Sequence, residues 1–224
     1  MRTLSRWVPL LLLAAGLNAG TITVISQGAT PGTFSQGMTG PAGFVEYVAA
    51  GWTTGSSSYS SVTITAVLEG QDLSGDSIDA YLDTQTGPGT TSLDEIATAS
   101  DIAVPSGSYA TVTLFTGLSL SANTSYYLTL APEGSDQIVW GIDNNQPSPT
   151  TDTGVSEIGA QFCTEDIAGC DAYPPASAFF GLNANPIFDV TSTSTPAAVP
   201  EPASGALLAS GLALGWLLRV YRRR

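Results

Sequence analysis

Short segments in which apolar and polar residues alternate make up most of the middle of this chain. In SVTITAVLE, Val62, Ile64 and Leu68 fall on one side of an extended backbone, and Thr63 and Thr65 fall on the other. SIDAYLDT, ATVTLF, SYYLTLA and QIVWGI repeat the pattern, and further strands are expected near 21–26, 44–50, 155–162 and 178–190. Because successive side chains of a strand point to opposite faces, this period predicts half-buried strands. The 24 glycines and 14 prolines supply turns. We therefore expect an all-β fold, an antiparallel β-sandwich of jelly-roll-like type.

The basic residues of the chain are confined to its two ends. There are six of them and no histidine, and they are Arg2, Arg6, Arg219, Arg222, Arg223 and Arg224. Of the 19 acidic residues, only Glu201 lies beyond position 199. The body between the ends therefore cannot form side-chain ion pairs, and its stability must come from apolar burial and backbone hydrogen bonds. Because its carboxylates repel one another, we expect added salt or calcium to raise its melting temperature.

This charge distribution excludes several classes of function for the body. Nucleic-acid binding requires basic residues that neutralise phosphates, so it is excluded. Ser-His-Asp and Cys-His hydrolases and histidine-ligated zinc sites need an imidazole, which is absent. Calcium coordination and glycoside hydrolysis by a pair of carboxylic acids remain compatible with the composition. We expect no enzyme activity and no cofactor, with structural Ca²⁺ as the one ion left open.

Residues 1–19 have the three parts of a secretory signal peptide. Arg2 and Arg6 precede an apolar stretch, and Leu17-Asn18-Ala19 is a small-residue cleavage site. Signal peptidase would cut between Ala19 and Gly20. The alternative is that this stretch is a buried first helix of the domain.

The end of the chain combines a linker, an apolar segment and a basic tail. We assign residues 20–190 to an extracellular β-domain, 191–198 to a Ser/Thr/Pro linker, 204–218 to a short transmembrane helix and 219–224 to the tail. The 14 uncharged residues from Gly205 to Leu218 reach only about 21 Å as a helix. The four arginines that follow nevertheless favour a span, since basic residues stay on the cytoplasmic side. They are Arg219, Arg222, Arg223 and Arg224.

VPEPASGALLASGLALGWLLRVYRRR, residues 199–224, resembles the PEP-CTERM sorting signal. The match consists of the Pro-Glu-Pro motif, a short hydrophobic helix and a basic tail, in that order. The resemblance implies that a membrane-embedded exosortase recognises Val199, Pro200, Glu201 and Pro202 and removes the tail. It also implies delivery to the surface or exopolysaccharide matrix of a Gram-negative bacterium, after transient anchoring in the inner membrane. The alternative is an ordinary C-terminal membrane anchor.

The body resembles the R type of the choice-of-anchor domains, which are extracellular β-domains found ahead of sorting signals. FVEYVAAGWTTGSSSYSSVTITAVLEG, IDAYLDTQTGPGTTSL, GLSLSANTSYYLTLA and IVWGID carry this resemblance over about residues 40–145. The family describes attachment rather than activity, so it implies no catalytic residues.

Cys163 and Cys170 are the two cysteines of the chain, and they lie in the region that we expect to be exported. An oxidising compartment favours a disulfide between them, worth roughly 2–3 kcal/mol for so short a loop.

Two acidic runs and several aromatic residues are candidate binding sites. Glu165, Asp166 and Asp171 surround the cysteine loop, and neither they nor the second run fit a calcium-loop template. Tyr81 and Tyr127 oppose the aliphatic rows of their strands, so they are the best candidates for an exposed platform that stacks on sugar rings. The second acidic run consists of Asp72, Asp76, Asp79 and Asp83.

Together these features predict an exported, non-catalytic protein of the cell surface or the biofilm matrix. Its partners during maturation would be signal peptidase and exosortase, and it would contact the membrane through its C-terminal helix until processing. One alternative is a carbohydrate-binding module for exopolysaccharide. A further alternative is a carboxylate-based glycoside hydrolase.

Overall fold

The computed structural model describes residues 20–28, 31, 35–39, 45–71, 75–143, 145, 147–165, 169–182 and 184–193. Residues Thr21–Ser194 form one compact unit. The signal peptide, the sorting signal and linker residues 194–198 lie outside the described residues. Within the described ranges, no helix is long and apolar enough to cross a membrane.

The described body is all-β, and its strands pair in two antiparallel sheets. The strands are β1 (Thr21–Gln27), β2 (Ser35–Thr39), β3 (Glu46–Thr53), β4 (Tyr59–Gly70), β5 (Asp76–Asp83), β6 (Glu95–Val104), β7 (Ala110–Leu120), β8 (Ser125–Pro132), β9 (Gln137–Gly141), β10 (Thr150–Thr151), β11 (Ser156–Thr164), β12 (Phe180–Leu182) and β13 (Phe188–Thr193). One 3-10 turn, Pro174–Ala176, precedes β12.

The first sheet is built around β4, its longest strand. Its order is β10-β1-β13-β4-β9-β2, and β7 also pairs with β4. β13 pairs with β4 between Val62 and Ala66, and β9 pairs with it between Leu68 and Gly70. The second sheet has six strands in the order β12-β11-β3-β8-β5-β6. This six-stranded sheet carries the site described below.

One hydrophobic core contains residues from both sheets, as expected for a sandwich-like fold. Trp52 of the six-stranded sheet lies 5.7 Å from Phe188 of the other sheet, measured between ring centroids. Phe188 in turn meets Trp140 edge-on, and the indole Nε1 of Trp140 donates a hydrogen bond of 2.9 Å to the carbonyl of Ile187. Each such fully buried side chain contributes about 1.5–3 kcal/mol.

The apolar residues that the alternating pattern predicts to face inward do lie in this core. Val62, Ile64, Ala66, Leu68, Ile78, Ala80, Leu82, Val112, Leu114, Tyr126, Leu128, Leu130, Ile138, Trp140 and Ile142 are all buried. The prediction of half-buried strands is therefore confirmed for these five segments.

Two predicted boundaries need correction. β13 continues to Thr193, which pairs with Thr21 of β1, so residues 191–193 belong to the sheet and not to the linker expected at 191–198. The single strand expected near 178–190 is two strands, β12 and β13. Pro186 lies between them, and a proline has no N–H to continue a ladder.

Candidate functional site

The outer face of the six-stranded sheet points away from the core and carries an unusual set of tyrosines and carboxylates. The register between β5 and β8 fixes which side chains share this face. The pairs are Asp79 with Ala131, Tyr81 with Thr129, and Asp83 with Tyr127. Tyr47 lies on the same face, on β3, next to Val48, which is buried in the core.

A chain segment, residues 169–178, lies across this face, and we call it the strap. The Cys163–Cys170 disulfide attaches one end of the strap to β11, with the two Cα atoms 5.7 Å apart, so the predicted disulfide is confirmed. Farther along the strap, the carbonyl of Pro175 accepts hydrogen bonds from the Gly87 amide at 2.8 Å and the Thr86 hydroxyl at 3.1 Å. Because Pro174 and Pro175 are buried, the strap belongs to the packed structure.

Tyr173 is the strap residue that connects to the carboxylates of the sheet. Its hydroxyl donates to Oδ1 of Asp83 at 2.9 Å and lies 3.2 Å from Oε2 of Glu95. Asp83 and Glu95 are register partners on β5 and β6. A hydroxyl has a single proton, so the two carboxylates share one donor. The ring of Tyr173 packs edge-on against Tyr81, with centroids 5.8 Å apart.

Asp83 is fully buried, and its Oδ2 has no hydrogen-bond partner among the described residues. Burial raises the pKa of the Asp83 carboxyl to about 7; the hydrogen bond from Tyr173 opposes this, and the carboxylates of Glu95 and Asp94 add to it. Burial and the two neighbouring carboxylates also raise the pKa of Tyr173, so its hydroxyl stays protonated. A neutral Asp83 is therefore the favoured form in acid solution.

A pair of adjacent carboxyl groups, one with a raised pKa, is also the arrangement that a glycosidase uses. Here the raised group is Asp83, which is 0% exposed and lies under Tyr173. A general acid must come within hydrogen-bonding distance of the bond that it cleaves. In this conformation Asp83 presents no surface to a substrate, and the pair acts as an attachment point for the strap.

Beside the strap lies a groove of about 460 Å³ that we call the strap groove. Its floor is formed by Tyr47, Asp79, Tyr81 and Ala131, which come from the adjacent strands β3, β8 and β5. Pro174 of the strap forms one wall, and the turn after β8, with Glu133, forms the other. The groove is open to solvent.

Hydrogen bonds fix the polar groups of the strap groove. The Tyr81 hydroxyl donates to Oδ2 of Asp79 at 3.3 Å, and the backbone amide of Asp101 donates to Oδ1 of Asp79 at 3.2 Å. Burial, followed by the charge of Asp79, raises the pKa of Tyr81 to about 12. Burial likewise raises the pKa of Tyr47, with smaller effects from nearby carboxylates. Both phenols are therefore neutral donors at any physiological pH.

Glu133 on the wall of the groove belongs to a carboxyl cluster around Ser77. The Ser77 hydroxyl donates to Oε2 of Glu133 at 3.0 Å, and the Ser77 amide donates to Oδ2 of Asp136 at 2.8 Å. A hydrogen bond with the Asp101 carboxyl, followed by burial, raises the pKa of Glu133. No basic side chain occurs in the described body to balance these charges.

A second groove of about 740 Å³ lies on the other side of the strap, against the turn between β5 and β6. Small and polar residues line it, including Gly89, Thr90, Thr91, Gly169 and Asp171. Tyr173 is the aromatic residue in the lining of this second groove.

The two tyrosines predicted to form a platform lie on one face but have different surroundings. Tyr81 is in the strap groove, whereas Tyr127 packs over Gly51, where a Cβ would come within 2.9 Å of Cδ1 of Tyr127. The sequence reading missed Tyr47, the second aromatic residue of the groove. Its alternation with the buried Val48 in EYVAAGW was the available signal.

The predicted acidic runs do not come together as metal sites. Asp76 points to the core side, while Asp79 and Asp83 lie on the outer face, because an odd spacing along a strand reverses the side. Asp72 and Asp166 lie outside the described residues. Among the residues that the structure describes, no three acidic or cysteine side chains are grouped closely enough to hold a metal ion.

Comparison with known proteins gives no relative that assigns a function. No protein-family model matches the chain, and no protein of curated function matches it. Among solved structures, the infectious bursal disease virus Gt strain is 13% identical, with a TM-score of 0.32 over 95% of this chain and 53% of that one. The VP2 subviral particle of infectious bursal disease virus gives the same identity and TM-score, with 54% of its chain covered. The chain thus spans about half the length of these structures.

Proposed function

We propose that this protein is an exported, non-catalytic domain that is delivered to the cell surface or extracellular matrix and sorted through Val199–Pro202. The supporting observation from the structure is the Cys163–Cys170 disulfide, which attaches the strap to β11 and is typical of an oxidising compartment. The sequence supplies the two addresses, a signal peptide at residues 1–19 and a PEP-CTERM-like signal at 199–224. A jelly-roll-like sandwich, a short transmembrane helix at 204–218 and transient inner-membrane anchoring are parts of the same proposal.

The positions of the two ends of the β-domain suit a precursor that is attached to a membrane by a segment at each end of the chain. Thr21 at the start of β1 pairs with Thr193 at the end of β13. The chain therefore enters and leaves the domain side by side. Two membrane segments attached at these points would not pull the sheets apart.

The absence of catalysis is part of the proposal, and the buried position of Asp83 supports it. A carboxylate-based hydrolase is an enzyme class that the composition leaves open, and Asp83 and Glu95 are adjacent carboxyl groups of which Asp83 has a raised pKa. Because Tyr173 covers Asp83, this pair acts structurally in the proposal.

The sorting claim can be tested by changing Pro200, Glu201 and Pro202 to alanine together in the full chain. We expect the precursor to stay in the membrane with its arginine tail, while the unaltered protein is released without it. Mass spectrometry of the membrane and released fractions measures this. A matched control is Pro196→Ala, which removes a nearby proline outside the motif. Normal removal of the tail from the triple variant would refute exosortase sorting.

A second candidate function, binding of exopolysaccharide, is favoured by one observation. The strap groove places two neutral phenols and fixed carboxylates together on an open surface, which is the set of groups that binds polyols.

A further inference from the structure

We infer that the strap groove binds an oligosaccharide that carries free amino groups. The inference deepens the second candidate function and rests on it. It depends on three properties of the groove: the placement of its aromatic rings, the fixed orientation of its polar atoms, and the charge of the domain around it.

The aromatic rings come from neighbouring strands and are held in place. Tyr47 and Tyr81 line the same groove from β3 and β5, with Ala131 of β8 on the floor with them. An alanine is short, so the floor between the two tyrosines is low. Tyr81 cannot turn freely, because Tyr173 packs edge-on against it and its hydroxyl donates a hydrogen bond to Asp79. A ring fixed beforehand loses little conformational entropy when a ligand stacks on it.

The polar atoms of the groove match the donors of a sugar. Oδ1 and Oδ2 of Asp79 are each oriented by one hydrogen bond from the protein, and a carboxylate oxygen can accept a second. Glu133 contributes a further carboxyl to the lining, next to those of Asp79 and Asp101. Sugar hydroxyls and ammonium groups both donate to carboxylates, and hydrogen bonds to a charged acceptor are the stronger kind.

The negative charge of the domain determines which glycans the groove can bind. No lysine, arginine or histidine occurs between Arg6 and Arg219, so nothing in the domain can neutralise an acidic sugar. Asp79 and Glu133 line the groove, and Asp101 contacts both of them. A cationic ligand would supply the missing counter-charge and would also be attracted to the faces of the tyrosine rings. An amino sugar combines this cation with an apolar ring face.

The test is isothermal titration of the full chain in detergent with four oligomers of equal length. They are glucosamine, N-acetylglucosamine, galacturonic acid and lysine oligomers. We expect the glucosamine oligomer to bind, the N-acetylated oligomer to bind about tenfold more weakly, and the acidic oligomer not to bind. Binding of the lysine oligomer as tightly as the glucosamine oligomer would overturn the inference, because it would show attraction of any polycation. Failure of all four to bind would also overturn it.

Variants locate the site. Tyr81→Ala should weaken binding of the glucosamine oligomer about tenfold, and Glu133→Gln should weaken it severalfold without disturbing the packing of a ring. The matched controls are Tyr109→Ala and Asp189→Asn, which remove the same groups outside the groove, and they should leave the affinity unchanged. Equal losses in the controls would overturn the assignment to this groove. Release and tail removal are measured separately by mass spectrometry, so failure of binding and failure of the sorting proposal are distinguishable.

Discussion

The hydroxyl of Tyr173 lies 2.9 Å from Oδ1 of Asp83, and this contact connects the strap to a carboxyl group that is fully buried in the sheet. Glu95, on the neighbouring strand, lies 3.2 Å from the same hydroxyl. The body contains no basic side chain that could neutralise either carboxylate. Protonation of Asp83 is therefore what reduces the repulsion between the Asp83 and Glu95 carboxylates. The attachment of the strap consequently depends on pH.

Stability should fall as the pH rises through the range in which Asp83 ionises. Its folded pKa is about 7, above the ordinary value of 3.8 for an aspartate, so the folded state binds more protons than the unfolded state between these values. The stabilisation is complete below about pH 4 and lost by about pH 7, and it amounts to about 2–4 kcal/mol. Denaturant unfolding at a series of pH values measures it.

Asp83→Asn removes this titration and should flatten the pH profile, leaving the variant more stable than the unaltered protein near pH 8. Asp189→Asn, on the other sheet, is the control and should keep the original slope. An unchanged slope in Asp83→Asn would contradict the assignment of the buried proton to this residue.

Tyr173→Phe deletes the shared donor while keeping the ring against Tyr81. The oxygens of Asp83 then have no donor from the strap, so we expect a loss of about 1–3 kcal/mol, larger near pH 8 than near pH 5. Chemical denaturation at both pH values measures the difference, with Tyr109→Phe as the matched control. Equal losses at both pH values would show that the hydroxyl does not act through the carboxylates.

Reduction of the Cys163–Cys170 disulfide should lower the free energy of unfolding by roughly 2–3 kcal/mol. Cys163 is fully buried, so its thiol would be protected from alkylation until the strap opens. The double variant Cys163→Ser with Cys170→Ser should become sensitive to proteolysis at the strap, seen as cleavage within residues 169–178. Labelling of two thiols in the native, unreduced protein would contradict the disulfide.

Gly51→Ala should destabilise the six-stranded sheet. A Cβ at this position would lie 2.9 Å from the ring of Tyr127 and 3.2 Å from Cβ of Ile158, so one of them must move. We expect a cost of about 1–3 kcal/mol, measured as a lower midpoint of thermal unfolding. Gly37→Ala is the matched control, because a Cβ there meets nothing within 4 Å. A fall of the same size in both variants would show that the contact with Tyr127 is not the cause.

Residues on strands with strict alternation were predicted well, and those on irregular or edge strands were not. The burial of Ile78, Ala80 and Leu82 followed from their period of two. β6 was missed because, as an edge strand, it leaves half of its side chains exposed and has no continuous row of buried apolar residues. In the sequence Asp83 is only one member of an acidic run, whereas in the fold the strap covers it.

The sequence by itself determined the all-β class, the inward-facing residues, the pairing of the two cysteines and the absence of any cation in the body. These follow from local period and composition, which are properties of neighbouring residues. The tertiary structure alone decided that residues 169–178 cross β5 and β8, that Tyr173 reaches Asp83 and Glu95, and that Tyr47 joins Tyr81. The physical reason is that alternation tells which face a side chain occupies, whereas its neighbours on that face depend on strand order and register between distant segments.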